Sequence, residues 1–447
     1  MRGPEGRSLI GIRREDKNRW ERRAPLTPDH VAELVRGHGV RIQVQPSTLR
    51  VFPDLDYRTA GAEVAEDLAP CRTILGIKEI PAERILSGKT YCFFSHTAKG
   101  QAHNMPMLRR IVELGATLVD YERIADDRGR RLVFFGRHAG HAGMIDALWA
   151  LGRRLAHEGY LTGLDQIRLA HDYSSLDEAT HHVARVGERL RHTGIPEALH
   201  PLVFVFTGSG NVTRGALEIF DRLPVQEVPA EELPGLAADL ERPRNVLFRV
   251  HLPRADRFER TDGAPFGAEE LARRPEAYRS TAYRWLPHTT VLVNGAVWTP
   301  GMPRLVTRAD IGAAFHDGAR PRLRVVADIA CDIGGGIDAT VRASTPGDPV
   351  YTFDPVTGAT PSGVEGRGPV VLAIDNLPCE LPVESSEHFG DSLLRYVPAI
   401  SRCSWEGPLE ALPLPGEILR AVIVHRGELA PHYAHLEPLL AAGGGAQ

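Results

Sequence analysis

Residues 201–220 read PLVFVFTGSGNVTRGALEIF. An apolar strand runs into Gly208-Ser209-Gly210, and an amphipathic helix begins at once, with Ala216, Leu217 and Phe220 along one face. Glycines at such a junction let the backbone turn tightly and approach a pyrophosphate, which the free N–H groups and dipole of a helix N-terminus favour. The pattern departs from GxGxxG at its third small residue: Thr213 stands there, and Gly215 follows two positions later. A lone turn of this kind is a weak fingerprint, and without a ligand it is simply a tight strand-to-helix connection. The strand before and the helix after are the context that the motif requires. The next strand, VQEV, ends near Glu227, seventeen residues past Gly210. That is about where an acid would meet the adenine ribose hydroxyls. No Lys or Arg lies between Val225 and Gly235, so the spacing favours NAD over NADP.

Outward from this turn, VLFRV, TTVLVNG and RLRVVADIA continue a series of apolar strands. An earlier series fills the first third of the chain: SLIGI, VRIQVQP, TILGI, TYCFFS and ATLVD, with helices such as MPMLRRIVELG between them. In LTPDHVAELVRGHGV, Thr27 is placed to cap a helix, Pro28 to open it, and Gly37 or Gly39 to stop it. Alternating strands and helices predict parallel sheets, and 447 residues exceed one typical core. The expected fold class is therefore α/β: two Rossmann-like domains with parallel sheets and an interdomain cleft. A helix is predicted from about Ala142 to His157, and its small residues Ala139, Gly140, Ala142 and Gly143 suit a close crossing between domains. The closing AAGGGAQ reads as a frayed tail.

A net charge of -4 gives no electrostatic case for nucleic acid or an anionic membrane. The opening MRGPEGRSL lacks the apolar core of a signal peptide, and no apolar run approaches membrane-spanning length. Five cysteines, none in CxxC spacing, read as reduced thiols, so the expected location is cytoplasmic with no zinc site.

Only four of the 53 basic residues are lysine: Lys17, Lys78, Lys89 and Lys99. Arginine stays charged, whereas a crowded or buried lysine can lose its proton and act as a base. Lys78 follows the strand TILGI, and His96 follows TYCFFS. Strand C-terminal ends face the ligand crevice of an open α/β sheet, so both side chains would share one rim if the strands are neighbours. Glu79 and Glu122 could tune them. The plainer alternatives are a surface cation and a hydrogen-bonded rim histidine. Among the arginines of IRREDKNRWERRAPLTP, Arg13 and Arg23 are the candidates for holding carboxylates, and the others suit a solvated basic face. His138 and His141 have i, i+3 spacing, yet nothing nearby completes a metal set, so no metal is expected.

Taken together, IRREDKNRWERRAPLTPDHV, LGIKEIP, FFSHTAKGQ, DYE, FTGSGNVTRGA, ADIACDIGGGI and IDNLPCELPVESSEHFG closely resemble the lysine–2-oxoglutarate reductase family. This is the saccharopine-forming half of the bifunctional aminoadipate-semialdehyde synthases. More distantly, the chain is similar to fungal lysine-forming saccharopine dehydrogenases and to alanine dehydrogenases. The resemblance implies a substrate domain over residues 1–137 completed by 380–447, and a dinucleotide-binding domain over 138–379. It implies NAD(P)H as cofactor and small-molecule substrates, an amino acid and a 2-oxo acid. It carries over Lys78 and His96 as the acid/base pair, and Arg13, Arg23, Glu79 and Glu122 as substrate-side residues. For the cofactor it carries over Gly208, Ser209, Gly210, Asn211 and Val212, with Asp328, Asp332 and Asp375 at the nicotinamide edge. The implied reaction is reductive condensation of lysine with 2-oxoglutarate. The chain departs from the family at His138 and His141, where relatives carry aromatic or apolar residues. That departure opens a second reading, an imine-reducing enzyme joining another amine to another 2-oxo acid. A third is a non-catalytic nicotinamide-binding regulatory protein. Oligomeric state has no signature in the sequence.

Overall fold

The apolar runs of the first third form β1 (Ile10–Ile12), β2 (Ile42–Val44), β3 (Glu63–Val64), β4 (Thr73–Leu75), β5 (Thr90–Phe93) and β6 (Thr117–Asp120). They lie in the spatial order 6-5-4-1-2-3, and all are parallel. The computed structural model describes residues 8–239, 241–314 and 322–442. The readings made on the opening residues through Arg7 and on the tail beyond Ala442 lie outside those residues. Thr27 caps the helix Pro28–His38 as its sequence predicts, and the chain leaves that helix at Gly39.

The second sheet is built from β7 (Val203–Thr207), β8 (Val225–Glu227), β9 (Leu247–Leu252), β12 (Val291–Asn294), β13 (Val325–Asp328), β14 (Val350–Thr352) and β15 (Val370–Leu372). A separate antiparallel pair, β10 (Phe258–Arg260) and β11 (Tyr278–Ser280), follows β9. The spatial order of the main sheet is 14-15-13-12-7-9-8, and only β14 runs antiparallel to its neighbour. The chain then returns to the first sheet, where β16 (Val422–His425) pairs antiparallel with β6 and β17 (Glu428–Leu429) forms the edge. Two compact units result: residues up to Phe135 with those from Pro382 onward, and Gly136–Leu381.

β7 shows why the second sheet is covered on both faces. Phe204 and Phe206 pack with the helices of one layer, while Val203 and Val205 pack with Phe248 and Val250 in a separate cluster on the other. A strand buried on both sides reads as a continuous apolar run, as this one does. In the first unit, Phe94, Tyr121 and Phe135 gather around Phe389, which lies on the returning helix Pro382–Leu394. All five cysteines are unbridged. Among the described residues no helix is long and apolar enough to cross a membrane.

The long helix spans Gly136–His157, six residues earlier than its expected start. Gly140, one of the small residues expected at a crossing between domains, serves a crossing within the second unit, against the helix Asn211–Phe220. A Cβ at Gly140 would strike the Val212 carbonyl oxygen and the Ala216 nitrogen, and a Cβ at Gly215 would strike the Arg137 carbonyl. These obstacles are backbone and cannot swing aside. Gly140→Ala is therefore expected to cost about 1–3 kcal/mol by overpacking, measured as a lowered urea midpoint. Gly37→Ala has open space around its Cβ and should not lower it. Equal midpoints for the two variants would refute the contact.

Candidate active site

β4 and β5 are hydrogen-bonded neighbours, with Leu75 opposite Cys92. The pairing continues past the strands: Gly76 N–H donates to the Cys92 carbonyl and Phe94 N–H to the Ile77 carbonyl, each at 3.0 Å. Lys78 and His96 therefore emerge side by side at one sheet edge. Behind them the buried Glu15 accepts from the N–H groups of Ile77 at 2.7 Å and Lys78 at 3.0 Å, which fixes the backbone that carries Lys78. Burial pushes the Glu15 carboxyl up against the opposing pull of Arg13.

His96 has φ of 49°, in the left-handed region that a residue with a Cβ seldom enters. Its ring stacks on Phe94 at 6.2 Å, and its Nδ1 lies 2.5 Å from Glu79 Oε1. Asn104 Nδ2 donates to the His96 carbonyl at 3.3 Å. Burial alone would raise the Glu79 carboxyl. The hydrogen bond and charge of His96, with Lys17 at 3.2 Å and Lys78 beyond, outweigh it and hold Glu79 ionised well below the usual carboxylate range. An ionised Glu79 accepts, so the Nδ1 proton stays on His96, and no described residue engages Nε2. The Lys78 ammonium forms no hydrogen bond or ion pair with any described residue. Burial lowers its pKa, the cations Arg23 and Lys17 lower it further, and Glu79 and Glu21 pull the other way.

The other candidates in this unit are engaged by internal partners. Arg23 is buried, donates from Nε and Nη2 to the two oxygens of Glu21 at 2.7 and 2.6 Å, and lies 4.2 Å from the Phe135 ring centre. Arg13 pairs with Asp16 at 2.9 Å and Glu15 at 3.7 Å. The Arg23 fork is held by Glu21, whereas Nη1 of Arg13 is buried without a hydrogen-bond partner among the described residues. Glu122 is ion-paired with Arg131, and its N–H donates to Asp120 at 2.8 Å. Asp120, at the end of β6, accepts from Ser95 Oγ at 2.5 Å, and burial pushes its carboxyl up to about 6. Sequence reading passed over Asp120, although it adjoins the quoted Tyr121-Glu122.

In the second unit Gly208 has φ of 90°, and a Cβ there would meet the Gly295 carbonyl carbon at 2.8 Å. Gly210 precedes the helix Asn211–Phe220 with open space around it. Thr213, at the position of the missing third glycine, donates from Oγ1 to the Thr207 carbonyl at 3.1 Å and ties the helix to the strand. The close helix packing is transferred to Gly215. Around the turn lies a cavity of about 400 Å³ lined by Gly208, Ser209 and Gly210. Such a backbone cradle fits a dinucleotide pyrophosphate. Asn211 and Val212 open the helix at its edge.

Along the same carboxyl edge, Asp328 ends β13. It accepts from Asn294 Nδ2 at 2.8 Å and Thr340 Oγ1 at 2.6 Å, and burial pushes it up to about 6. Asp332 accepts the Trp298 N–H at 3.1 Å, and Asp375 lies exposed beyond β15. These three carboxylates surround Cys331, whose thiol is raised first by burial and then by their charges.

Two family models match parts of the chain. The description "Alanine dehydrogenase/PNT, N-terminal domain" matches residues 11–142, and "Alanine dehydrogenase/PNT, C-terminal domain" matches residues 279–432. The chain belongs to the alanine dehydrogenase/PNT family.

Within and around that family, the alpha-aminoadipic semialdehyde synthase of Bos taurus is 37% identical over 454 residues, covering 98% of this chain and 48% of the relative. The Arabidopsis thaliana synthase is 38% identical, covering 96% and 41%. The chain thus spans about half the length of these relatives. A saccharopine dehydrogenase (NAD(+), L-lysine-forming) of Neurospora crassa is 26% identical, covering 87% of this chain and 90% of that one. Among solved structures, an L-alanine dehydrogenase superposes with a TM-score of 0.62 at 18% identity, covering 97% of this chain and 99% of that one, and shares the two-domain fold.

Two placements differ from the sequence reading. Glu227 was expected to face an adenine ribose. It ends β8, which lies at the sheet edge with β9 between it and β7. Its side chain is 64% exposed and held by Arg249 of β9 at 2.8 Å, so it does not line the glycine-turn cavity. Arg249 lies opposite Glu227 in the β8–β9 register, so a cation does stand by that loop, supplied from another strand. His138 and His141 are buried in the long helix, and His141 Nε2 meets Glu218 at 2.7 Å on the partner helix.

With four lysines in the chain, ¹³C-methylation of the amines gives a small set of resonances. Lys78 is expected to titrate below the ordinary lysine value of 10.5. Glu79→Gln removes a charge that favours the ammonium, so its midpoint should move lower still. An upward shift, or titration at 10.5 in both proteins, would refute the arrangement.

Proposed function

We propose that this chain catalyses the reductive condensation of lysine with 2-oxoglutarate to saccharopine. The observation that carries the reading is an unpaired, pKa-lowered Lys78 beside a histidine oriented by Glu79. It is supported by the likeness to synthases and to lysine-forming saccharopine dehydrogenases, whose names supply the substrate.

The side-chain ammonium of lysine must lose a proton before its nitrogen can attack the keto carbon. Lys78 in its neutral form accepts that proton. The resulting carbinolamine loses hydroxide as water, which needs an acid, and His96 donates from Nε2 while Glu79 steadies the imidazolium. Two proton movers in separate environments suit these two tasks. The turn of Gly208, Ser209, Gly210, Asn211 and Val212 would hold a reduced nicotinamide dinucleotide, which when bound would supply hydride to the imine. In this reading Asp328 positions Asn294 at the sheet edge, and Asp332 and Asp375 would serve the nicotinamide side. Arg13, Arg23 and Glu122 shape the substrate side. Arg23 does so through its charge near Lys78, since its fork is already occupied.

Oxidation of NADH and of NADPH should be followed with lysine and 2-oxoglutarate, together and singly. Consumption that needs both substrates is expected, and none with either cofactor would overturn the proposal. Lys78→Arg keeps the charge but cannot yield the proton. It should bind cofactor normally while kcat falls about 10²–10⁴-fold. Retained turnover in that variant would remove Lys78 from its role.

A further inference from the structure

Ser95, His96 and Thr97 follow β5, and their side chains divide. Ser95 and Thr97 are fully buried, while His96 stands at the rim with 30% of its side chain exposed. The two buried hydroxyls lie 2.7 Å apart. In an extended strand, residues two positions apart are separated by roughly 7 Å. The positive φ of His96 folds the chain so that the hydroxyls meet, and their bond in turn holds that φ.

The hydroxyls end on a carboxylate. Ser95 Oγ donates to Asp120 Oδ2 at 2.5 Å, and the Thr97 N–H reaches Ser95 Oγ at 3.3 Å. Burial pushes the fully buried Asp120 up to about 6, so above pH 7 it is ionised and can only accept. Ser95 gives its one hydroxyl proton to Asp120, so Thr97 Oγ1 must donate to Ser95. The donors therefore run one way, from Thr97 through Ser95 to Asp120. Oδ1 accepts the Glu122 N–H at 2.8 Å, and Asp120 lies opposite Phe93 in the β5–β6 register. One carboxylate thus ties the loops that follow both strands. A desolvated carboxylate is a costly tie between strand ends, where apolar packing would serve.

We propose that Asp120 is a positioning residue for His96, aiming the imidazole through the hydroxyls of Ser95 and Thr97. The inference rests on the reading of His96 as the proton donor. A buried acid that only held the sheet together would leave the imidazole unmoved when the hydroxyl link is cut.

The test reads the imidazole directly, by NMR of the full chain labelled at histidine. The His96 Nδ1 proton, shared with Glu79 at 2.5 Å, should resonate far downfield and exchange slowly. Its loss in His96→Gln assigns it. Asp120→Ala and Ser95→Ala should each move that proton upfield and speed its exchange, with affinity for the reduced cofactor unchanged. Turnover of lysine with 2-oxoglutarate should fall about ten- to a hundredfold in kcat. If Asp120→Ala melts before assay, Ser95→Ala decides, because it cuts the link and leaves the carboxylate in place. A folded Ser95→Ala protein whose Nδ1 proton keeps its shift and exchange rate would overturn the proposal, even with a lowered urea midpoint. So would the absence of such a proton from the wild type. A wild type that consumes neither cofactor removes the proposed reaction instead, and the Nδ1 proton still decides whether Asp120 aims the ring.

Discussion

The contact between Gly140 and the helix that opens at Asn211 governs the second unit. Backbone meets backbone there, with no side chain between to give way. The helix N-terminus at Gly210 can stand at the sheet edge only because Gly215 and Gly140 let it sit down against the long helix. Thr213 completes the restraint by tying the same helix to the end of β7. A rigid cradle of this kind loses little freedom when an anion enters it, so more of the contact energy appears as affinity.

The first unit uses charge where the second uses shape. Glu79 is held by Lys17 on one oxygen and by His96 on the other, while Lys78 acts on it only through its charge. With Glu79 already engaged, burial and the nearby charges of Arg23 and Lys17 favour the neutral form of Lys78. Arg23 adds to that pressure without competing for Glu79, since Glu21 occupies its own fork. A chain that uses arginine almost everywhere keeps lysine at this position, where a removable proton changes the chemistry.

How much of this was legible depended on whether the signal ran along the chain or across it. The alternation of apolar strands with capped helices is a local pattern, and Thr27 and the run Val203–Thr207 could be read directly. Lys78 and His96 could be placed at strand ends for the same reason. Glu15 could not: its partners are the N–H groups of Ile77 and Lys78, more than sixty positions away. Spacing from Gly210 pointed to Glu227, but spacing cannot reveal that β9 slips between β7 and β8. The short strands β14 and β15 escaped because prolines and glycines crowd around them, and the β10–β11 pair because three residues give too little alternation to recognise.

His96 keeps a backbone conformation that costs a residue with a Cβ about 1–2 kcal/mol. The cost is met during folding, through the stacked Phe94 and the Asn104 bond to its carbonyl. The imidazole is therefore aimed before any ligand arrives, and in the proposed reaction a weakly held substrate would not spend its few contacts on organising it. A glycine in its place would ease the backbone and leave the aim to chance.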